Sequence, residues 1–307
     1  MTAPELSTLV VAWRAARDVA ELVAEWPRDR RFELIIVDQD GDLPERLGRL
    51  PEGVRVVSPG RNIGFAGGSN FAARAARSER LLFLNPDARP VEGALAALAL
   101  AFEQWPHAAG LVPRLVGFDG SAQSAWQLRR LPTPPALLAH ALFFNPGRGP
   151  RVEPPAGTPI EQPAAAALAL RRSVFEAVGG FDERFFPAWF EDVDLARRLA
   201  DRAQPLLYLP TALFRHRQGS SVAELGYGAF LTAYDRNLCR YLEKHHGRGW
   251  ALAFRAIAGP AALARLLLVP LRRPARAASR GQAAHALIQV ARGSLSGWST
   301  PAPELAA

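Results

Sequence analysis

The chain has 307 residues, 49% hydrophobic and 21% charged, with a mean hydropathy of -0.02. That is enough apolar material for one large or two small packed domains, too much for a disordered chain and too little for a multispanning membrane protein. A single cysteine, Cys239, excludes an internal disulfide and a cysteine-type zinc site. It fits a reducing compartment, and the start MTAPELSTLVVAW lacks the basic n-region of a signal peptide, so a cytoplasmic location is expected. One lysine, Lys244, stands against 36 arginines, which removes a Walker phosphate loop and leaves Lys244 as the only conceivable Schiff-base lysine. The net charge of +8 is concentrated: from Lys244 to Pro303 there are nine Lys/Arg and no Asp or Glu, against 28 basic and 29 acidic residues elsewhere. A nucleic-acid-binding core therefore loses its main support, and no nucleic-acid partner is expected.

In chain order, Thr8 to Trp13 is a short apolar run of buried-strand type. Asp18 and Glu21 are spaced as a capping box for a helix whose Val19, Leu22, Val23 and Trp26 recur on one face, closed by Pro27. Phe32 to Val37 and Val54 to Val57 read as further strands. The glycine-rich stretch Ser58 to Asn70 follows, then a helix from Phe71 to Arg77 and a strand from Leu81 to Leu84. Strands alternating with helices at this spacing predict a parallel, doubly wound sheet, with ligands at the carboxyl ends of the strands, where Trp13, Asp38, Asn62 and Asp87 fall. Residues 91 to 105 form one more helix. The stretch from Arg130 to Pro163 holds nine prolines and no period, so loop is expected. Pattern returns with a strand at Ala164 to Leu170, a Ser173/Glu176 capping pair, the Gly179-Gly180 stop, a helix at LARRLA, and a strand from Leu206 to Leu209 leading to an Arg215-His216-Arg217 turn.

Each polar motif has a plain reading beside a chemical one. The glycine segment matches neither G-x-G-x-x-G nor a Walker loop, which disfavours a dinucleotide-binding dehydrogenase. Gly64, Gly67 and Gly68 before a helix would still let backbone approach a ligand, with Asn62 and Asn70 as polar handles. Asn85-Pro86-Asp87 reads alone as a turn; otherwise Asp87 is a hard oxygen ligand for Mg²⁺ or Mn²⁺. Glu191, Asp192 and Asp194 open a helix, which favours acids, but three carboxylates beside Phe185, Phe186, Trp189 and Phe190 exceed capping and suit a general base. His216 alone would not be chosen, and Cys239 has no activating pattern.

Taken together, Arg61 to Asn70, Leu81 to Asp87, Gly179 to Phe186 and Phe190 to Leu195 resemble a family 2 glycosyltransferase of GT-A fold, in its rhamnosyltransferase-like bacterial branch. The likeness runs in the family's order from about Leu9 to about Gly247. It implies an α/β architecture, a Rossmann-like, mostly parallel sheet flanked by helices, followed by a basic helical C-terminal tail. It implies that Trp13 and Asp38 line the base pocket of a nucleotide-diphosphate sugar and that Asn62, Gly67, Asn70, Asn85 and Asp87 belong to the donor site. Asp87 and His216 are implied as ligands of Mg²⁺ or Mn²⁺, and Asp192, next to Glu191, as the catalytic base. Departures fall at Asp38 to Asp42 and at Arg14, which bear on the nucleotide, and at Ala164-Ala165, which bears on the acceptor.

The expected function is inverting transfer of a sugar, with dTDP-rhamnose the donor the resemblance points to, onto a hydroxyl of a glycan or lipid-linked acceptor in cell-surface polysaccharide synthesis. The alternative is a non-catalytic, membrane-associated nucleotide-sugar- or glycan-binding protein of the same fold. Residues 1–105 are expected to form the nucleotide-sugar half, 106–247 the acceptor and catalytic half, and 248–307 the basic amphipathic tail. In the tail, Pro260, Pro270 and Pro274 are expected to break any long helix. No apolar run approaches the ~18 residues of a spanning helix, so the tail is read as not crossing a bilayer. Short helices on an anionic membrane surface, at the inner face of the cell membrane, are one reading; a helical cap on the catalytic domain is the other.

Overall fold

The apolar runs become strands of one sheet whose central members are buried on both faces. The structure is a computed structural model and describes residues 3–142, 149–150, 152–217, 225–271, 274 and 277–298. Its strands are β1 (Leu6–Ala12), β2 (Phe32–Asp38), β3 (Val54–Val57), β4 (Arg80–Leu84), β5 (Ala88–Pro90), β6 (Gly110–Val116), β7 (Leu128–Arg129), β8 (Gln162–Pro163), β9 (Ala167–Arg171) and β10 (Leu206–His216). The helices are α1 (Ala16–Glu25), α2 (Leu43–Leu47), α3 (Gly64–Ala75), α4 (Ala94–Gln104), α5 (Ser124–Gln127), α6 (Pro134–Ala141), α7 (Arg172–Ala177) and α8 (Glu191–Ala200). Three longer ones follow, α9 (Tyr227–His246), α10 (Arg248–Leu268) and α11 (Arg280–Ser296). Eight strands lie in the order β3-β2-β1-β4-β9-β6-β10-β5, and β7 and β8 form a separate ribbon.

β3, β2, β1 and β4 pair in parallel, as do β6 and β10. β9 runs against both β4 and β6, and β5 against β10. Every residue of β1 and β2 is buried, the pattern of strands covered by helices on both faces. One face packs α1 and α4 through Val19, Leu22, Leu98 and Phe102. The other packs α3, α7 and α8 through Ala72, Phe175, Leu195 and Leu199. Because two antiparallel steps separate β4 from β6, the ends of β4 and β10 lie at the same edge of the sheet as the ends of β1 and β2. The expected mostly parallel α/β sheet is what the structure shows.

The chain divides into two compact units: Met1–Leu131, Arg148–Glu183 and Glu191–Gln218 in one, Pro132–Gly147, Arg184–Phe190 and Gly219–Ala307 in the other. The first holds the sheet. The second holds α6 and a bundle of α9, α10 and α11, with Ala262, Ala283, Leu287 and Val290 at its centre. α10 and α11 are antiparallel: Arg255 donates to the carbonyls of Ser294 and Leu295. Their closest approach is at Gly259, where a Cβ would meet Ser294 Oγ at 2.3 Å.

Several local expectations are corrected. Neither capping box forms: α1 starts after Ala15 and α7 after Arg171, both without a side-chain cap. Asp18 is drawn away by an ion pair with Arg217 at 2.6 Å. The glycine segment is not a loop before a helix; Gly64 opens α3, and Gly67 and Gly68 lie inside it. The reason is packing, since a Cβ on Gly68 would sit 2.7 Å from the Val11 side chain, so glycine lets α3 approach β1. His216 closes β10 as its last strand residue instead of standing in a turn, and α6 forms inside the proline-rich stretch with proline in its first turn. Pro260 does not break the tail: α10 runs 21 residues through it, held by its buried face of Ala258, Ala261 and Ala262. By length and composition α10 is long and apolar enough to cross a membrane, with a mean hydropathy of 1.5 over 18 residues. Arg272, Arg273, Arg276 and the last residues of the tail lie outside the described residues.

The middle of the sheet has no spare room at Gly110, where a Cβ would lie 2.5 Å from the Ala169 backbone oxygen and 2.4 Å from Leu170 Cδ2. Gly110→Ala is expected to destabilise the protein by about 1–3 kcal/mol, the usual cost of overpacking. Urea unfolding followed by circular dichroism checks this, and an unchanged midpoint would contradict the packing read here.

Candidate active site

The site grows from the carboxyl edge of the sheet. After β4, the Ala88 amide donates to the Asn85 carbonyl at 3.1 Å, closing the Asn85-Pro86-Asp87-Ala88 turn. The turn reading and the ligand reading of this tripeptide are thus compatible, because the turn delivers Asp87. The chain enters β5 at once, and β5 pairs with the end of β10 in the register His216↔Ala88. Asp87 Oδ1 comes 3.4 Å from His216 Nε2, and both side chains are buried.

The histidine ring is oriented from behind. Gln123 donates its amide N–H to the His216 carbonyl at 2.8 Å, so its carbonyl oxygen faces His216 Nδ1, 2.9 Å away. Nδ1 is therefore the protonated nitrogen of the neutral ring. Trp126 stacks on the imidazole at 5.4 Å. Nε2 then turns its lone pair toward a carboxylate oxygen, an arrangement that is favourable with a proton or a cation between the two. One carboxylate oxygen and one imidazole nitrogen converging in a buried place are donors that suit Mn²⁺ or Mg²⁺ completed by phosphate oxygens. These two residues fit the metal that the fold implies.

Arg89, 2% exposed, fixes the turn. Its guanidinium donates to the carbonyls of Pro86 and Ala88, on either side of Asp87, and to the carbonyl of Asp18 on α1. Glu21 and Asp18 are shared between Arg89 and Arg217.

The second centre is the first turn of α8. Asp192 receives the Val193 amide at 2.8 Å and the Ala165 amide, and Arg129 Nη2 stands 3.8 Å from its Oδ2. Loop 164–166 serves both centres, because the Ala166 carbonyl accepts from the Asn85 amide at 3.0 Å. Glu191 is more deeply placed, and its Oε2 has no hydrogen-bond partner. Burial, then the Asp192 charge, pushes the Glu191 carboxyl well above the usual range, so it favours the neutral form. Burial also raises Asp192, but the Arg129 charge and the two amides oppose it. Burial thus raises both adjacent carboxyls, Glu191 more strongly, while Arg129 and the amides hold Asp192 back. Asp194 is tied to Arg198 at 2.8 Å, and Arg198 donates to the Val178 carbonyl, so this third acid joins α8 to the end of α7.

In the second unit, the segment just before Glu191 is held in an unusual backbone: Trp189 and Phe190 have φ of 73° and 72°. Asn237 donates to the carbonyls of Ala188 and Trp189, and Phe190 packs on Tyr234 and Tyr241. Strain of this kind persists only where neighbours over-determine it.

The remaining expected site residues separate. Asp38 spends its carboxylate on the amides of Asp40, Gly41 and Leu43, shaping the loop after β2. Trp13 is half-buried with the Arg14 guanidinium 4.6 Å above its ring. Asn62 caps the Gly64 amide at 2.9 Å. Asn70 uses both ends of its amide on Phe181 and Glu183, fastening α3 to the Gly179-Gly180 loop. Gly67 packs on Ile63. Asp38, Asp40 and Asp42 cluster within 4.8 Å, yet Asp40 accepts from the Arg14 amide and Asp42 from Arg46, so the cluster is consumed by its own loop. An open cleft of about 400 Å³ beside it, lined by Arg14, Arg17, Asp40, Asp42 and Arg46, holds neither Asp87 nor Asp192. Gln123, Trp126 and Arg129 were missed by sequence reasoning, and no pattern around them could have found them; Ala165 was noted only as an acceptor-loop departure.

The model of Glycosyl transferase family 2 matches residues 7–179. The chain belongs to that family. It is 29% identical over 265 residues to an N-acetylglucosaminyl-diphospho-decaprenol L-rhamnosyltransferase of Mycobacterium tuberculosis, covering 78% of this chain and 84% of the relative. Among solved structures it resembles GalNAc-T7 with UDP, GalNAc and Mn²⁺ (TM-score 0.53, 17% identity, 78% of this chain and 47% of that one). It also resembles the mannosyltransferase PcManGT of Pyrobaculum calidifontis with GDP-Man and Mn²⁺ (TM-score 0.52, 18% identity, 96% and 88%). These likenesses show the GT-A fold, and the family shows a glycosyltransferase.

If Arg129 opposes the rise of the Asp192 pKa, Arg129→Met removes that cation and the Asp192 pKa rises further. Carbon-13 carboxyl NMR of aspartate-labelled protein, with Asp192→Asn to assign the signal, is expected to show the Asp192 titration at higher pH in Arg129→Met. An unmoved titration would remove Arg129 from this role.

Proposed function

We propose that the chain is an inverting, metal-dependent sugar transferase that moves a hexose, rhamnose by analogy with the mycobacterial relative, from a nucleotide-diphosphate sugar to a hydroxyl of a lipid-linked or glycan acceptor. The observation that carries the reading is the division of labour at the two centres: a buried carboxylate–imidazole pair at the end of β4 and β10, and two adjacent carboxyls at the start of α8, of which Asp192 faces Arg129. In the transfer step Asp192 takes the proton of the acceptor hydroxyl while that oxygen forms a bond to the anomeric carbon. The bond from that carbon to the diphosphate oxygen breaks, and its electron pair leaves with the diphosphate. Asp87 and His216 would hold Mg²⁺ or Mn²⁺, which when bound offsets charge on the leaving diphosphate.

Gln123 and Trp126 keep the imidazole oriented, and Arg129 favours the charged form of the base. Glu191, favouring the neutral form, adds no second negative charge beside the base. In this reading residues 1–105 serve the donor, with Trp13, Asp38, Asn62, Asn70 and Asn85 shaping or lining that side, and 106–247 serve the acceptor and the chemistry. Residues 248–307 serve location, keeping the protein peripheral on the cytoplasmic face of the membrane.

Asp192→Asn is expected to leave nucleotide binding intact and lower turnover by ~10²- to 10⁴-fold, the range for removing a general base. Transfer from dTDP-rhamnose to a lipid-linked N-acetylglucosamine diphosphate is the assay. Near-normal turnover would shift the role to Glu191 or Asp194, and no turnover in the unaltered protein with any nucleotide sugar would favour a binding protein of the same fold.

Asp87→Ala should weaken nucleotide-diphosphate binding in the presence of Mn²⁺ at least tenfold, while the unfolding midpoint changes little. Titration calorimetry with and without Mn²⁺ decides: equal affinity in all four combinations would reduce Asp87 to a turn residue.

A further inference from the structure

Among the described residues, most of the exposed large apolar side chains fall on the second compact unit, which also carries the whole net charge of this protein, and four of those leucines gather at the C-terminal end of α10. Within the second unit α10 buries Ala251, Phe254, Ala258, Ala261 and Ala262. Its other side leaves Leu263 51%, Leu267 78% and Leu268 52% exposed, and Leu271, in the turn that follows, 82% exposed. Leu263 and Leu267 are one turn apart, so they form a stripe. Arg265 donates to the Ala141 carbonyl, which brings the half-exposed Leu142 at the end of α6 to the same place. Scattered single leucines need no explanation, but a contiguous group of large ones marks a contact surface.

Charge says what the contact is. The second unit carries 12 Lys/Arg and 4 Asp/Glu, a net of +8, while the first carries 25 of each and is neutral. Because α10 and α11 are antiparallel, the exposed Arg280 at the start of α11 lies at the leucine end of α10. The connection between Leu271 and Ala277 adds Arg272, Arg273 and Arg276, and no acid occurs from Lys244 to Pro303. Large apolar side chains flanked by arginines, without compensating carboxylates, suit a surface that is anionic outside and hydrocarbon beneath.

We propose that the leucine end of the α10–α11 pair, Leu263, Leu267, Leu268 and Leu271 with Arg280, docks on the surface of an anionic phospholipid bilayer. The leucines enter the acyl boundary and Arg280 meets the headgroup phosphates. α10 lies on the bilayer and does not cross it, because its small-residue face is occupied by α11 at the Gly259–Ser294 contact. This deepens the peripheral reading above by giving its surface, and it stands or falls independently of the transfer chemistry.

The test is flotation of the full chain with vesicles of phosphatidylcholine containing 30% phosphatidylglycerol, compared with pure phosphatidylcholine. Expected is binding to the anionic vesicles at least tenfold stronger than to neutral ones, weakened by 0.5 M NaCl as screening requires. The pair Leu267→Glu and Leu271→Glu should lower partitioning by about tenfold or more, since burying each leucine is worth about that factor. Both side chains are exposed, so thermal unfolding should be unchanged, and an activity measured on soluble substrates should be unchanged too. Arg280→Gln should lower anionic binding but not the residual neutral binding. Absence of binding, or binding unaffected by the leucine pair, overturns the proposal. So does a dimer in light scattering that the leucine pair disperses, which would assign the surface to a second copy. Retention in the membrane after alkaline carbonate would overturn it in favour of a spanning α10.

Discussion

A buried guanidinium holds the active-site edge together. Arg89 sits in the middle of β5 and donates to the carbonyls of Pro86 and Ala88, which flank Asp87, and to the carbonyl of Asp18 on α1. A charge this deeply buried is tolerable only when its donors are used and its charge is met; Glu21 lies 3.3 Å away and Asp18 nearby. The consequence is positional. With carbonyls 86 and 88 pinned and the His216↔Ala88 register fixed, Asp87 has little freedom to leave His216. Removing the arginine would loosen the turn and leave Asp18 and Glu21 to Arg217 alone.

The acidic motif at α8 is organised by a different principle. Three carboxylates in one helical turn repel, and each is resolved separately: Asp194 by Arg198, Asp192 by two amides and Arg129, and Glu191 by favouring its proton. The helix N-terminus helps all three, but it cannot choose among them. Choice comes from residues far away in sequence, Arg129 on β7 and Ala165 between β8 and β9. The proposed base is thus set apart by what surrounds the motif more than by the motif itself.

That difference marks how much was legible beforehand. β1 to β4 were readable because buried parallel strands are uninterrupted apolar runs, and Val54–Val57 was placed to the residue. Asp87, Asp192 and His216 could be singled out, the last only through the family resemblance. The glycines of α3 misled because a flexible loop and a close helix-on-strand contact ask for the same residue, and only the Val11 side chain distinguishes them. The capping boxes failed where a stronger partner, Arg217, competed for Asp18. Asn70 looked like a ligand handle because an amide suits either use; its three hydrogen bonds are to Phe181 and Glu183, more than 100 residues on. Pro260 was overruled by tertiary packing. Gln123, Trp126 and Arg129 were invisible because their meaning lies entirely in long-range contacts.

Charge bookkeeping around Asp87 gives the physical case for a cation in the proposed reaction. The sheet-bearing unit is neutral overall, so no broad positive field awaits a diphosphate. The guanidiniums that border the turn, Arg89 and Arg217, are already committed to Asp18 and Glu21. Asp87 itself is negative and would repel phosphate oxygens at close range. Positive charge arriving with a diphosphate would ease its settling beside this buried carboxylate, and Nε2 of His216, aimed by Gln123, offers that charge a second donor. The same geometry without a cation would be a site that rejects its own leaving group, which is why the carboxylate–imidazole pair, and not the more numerous aspartates after β2, is where donor binding should depend on metal.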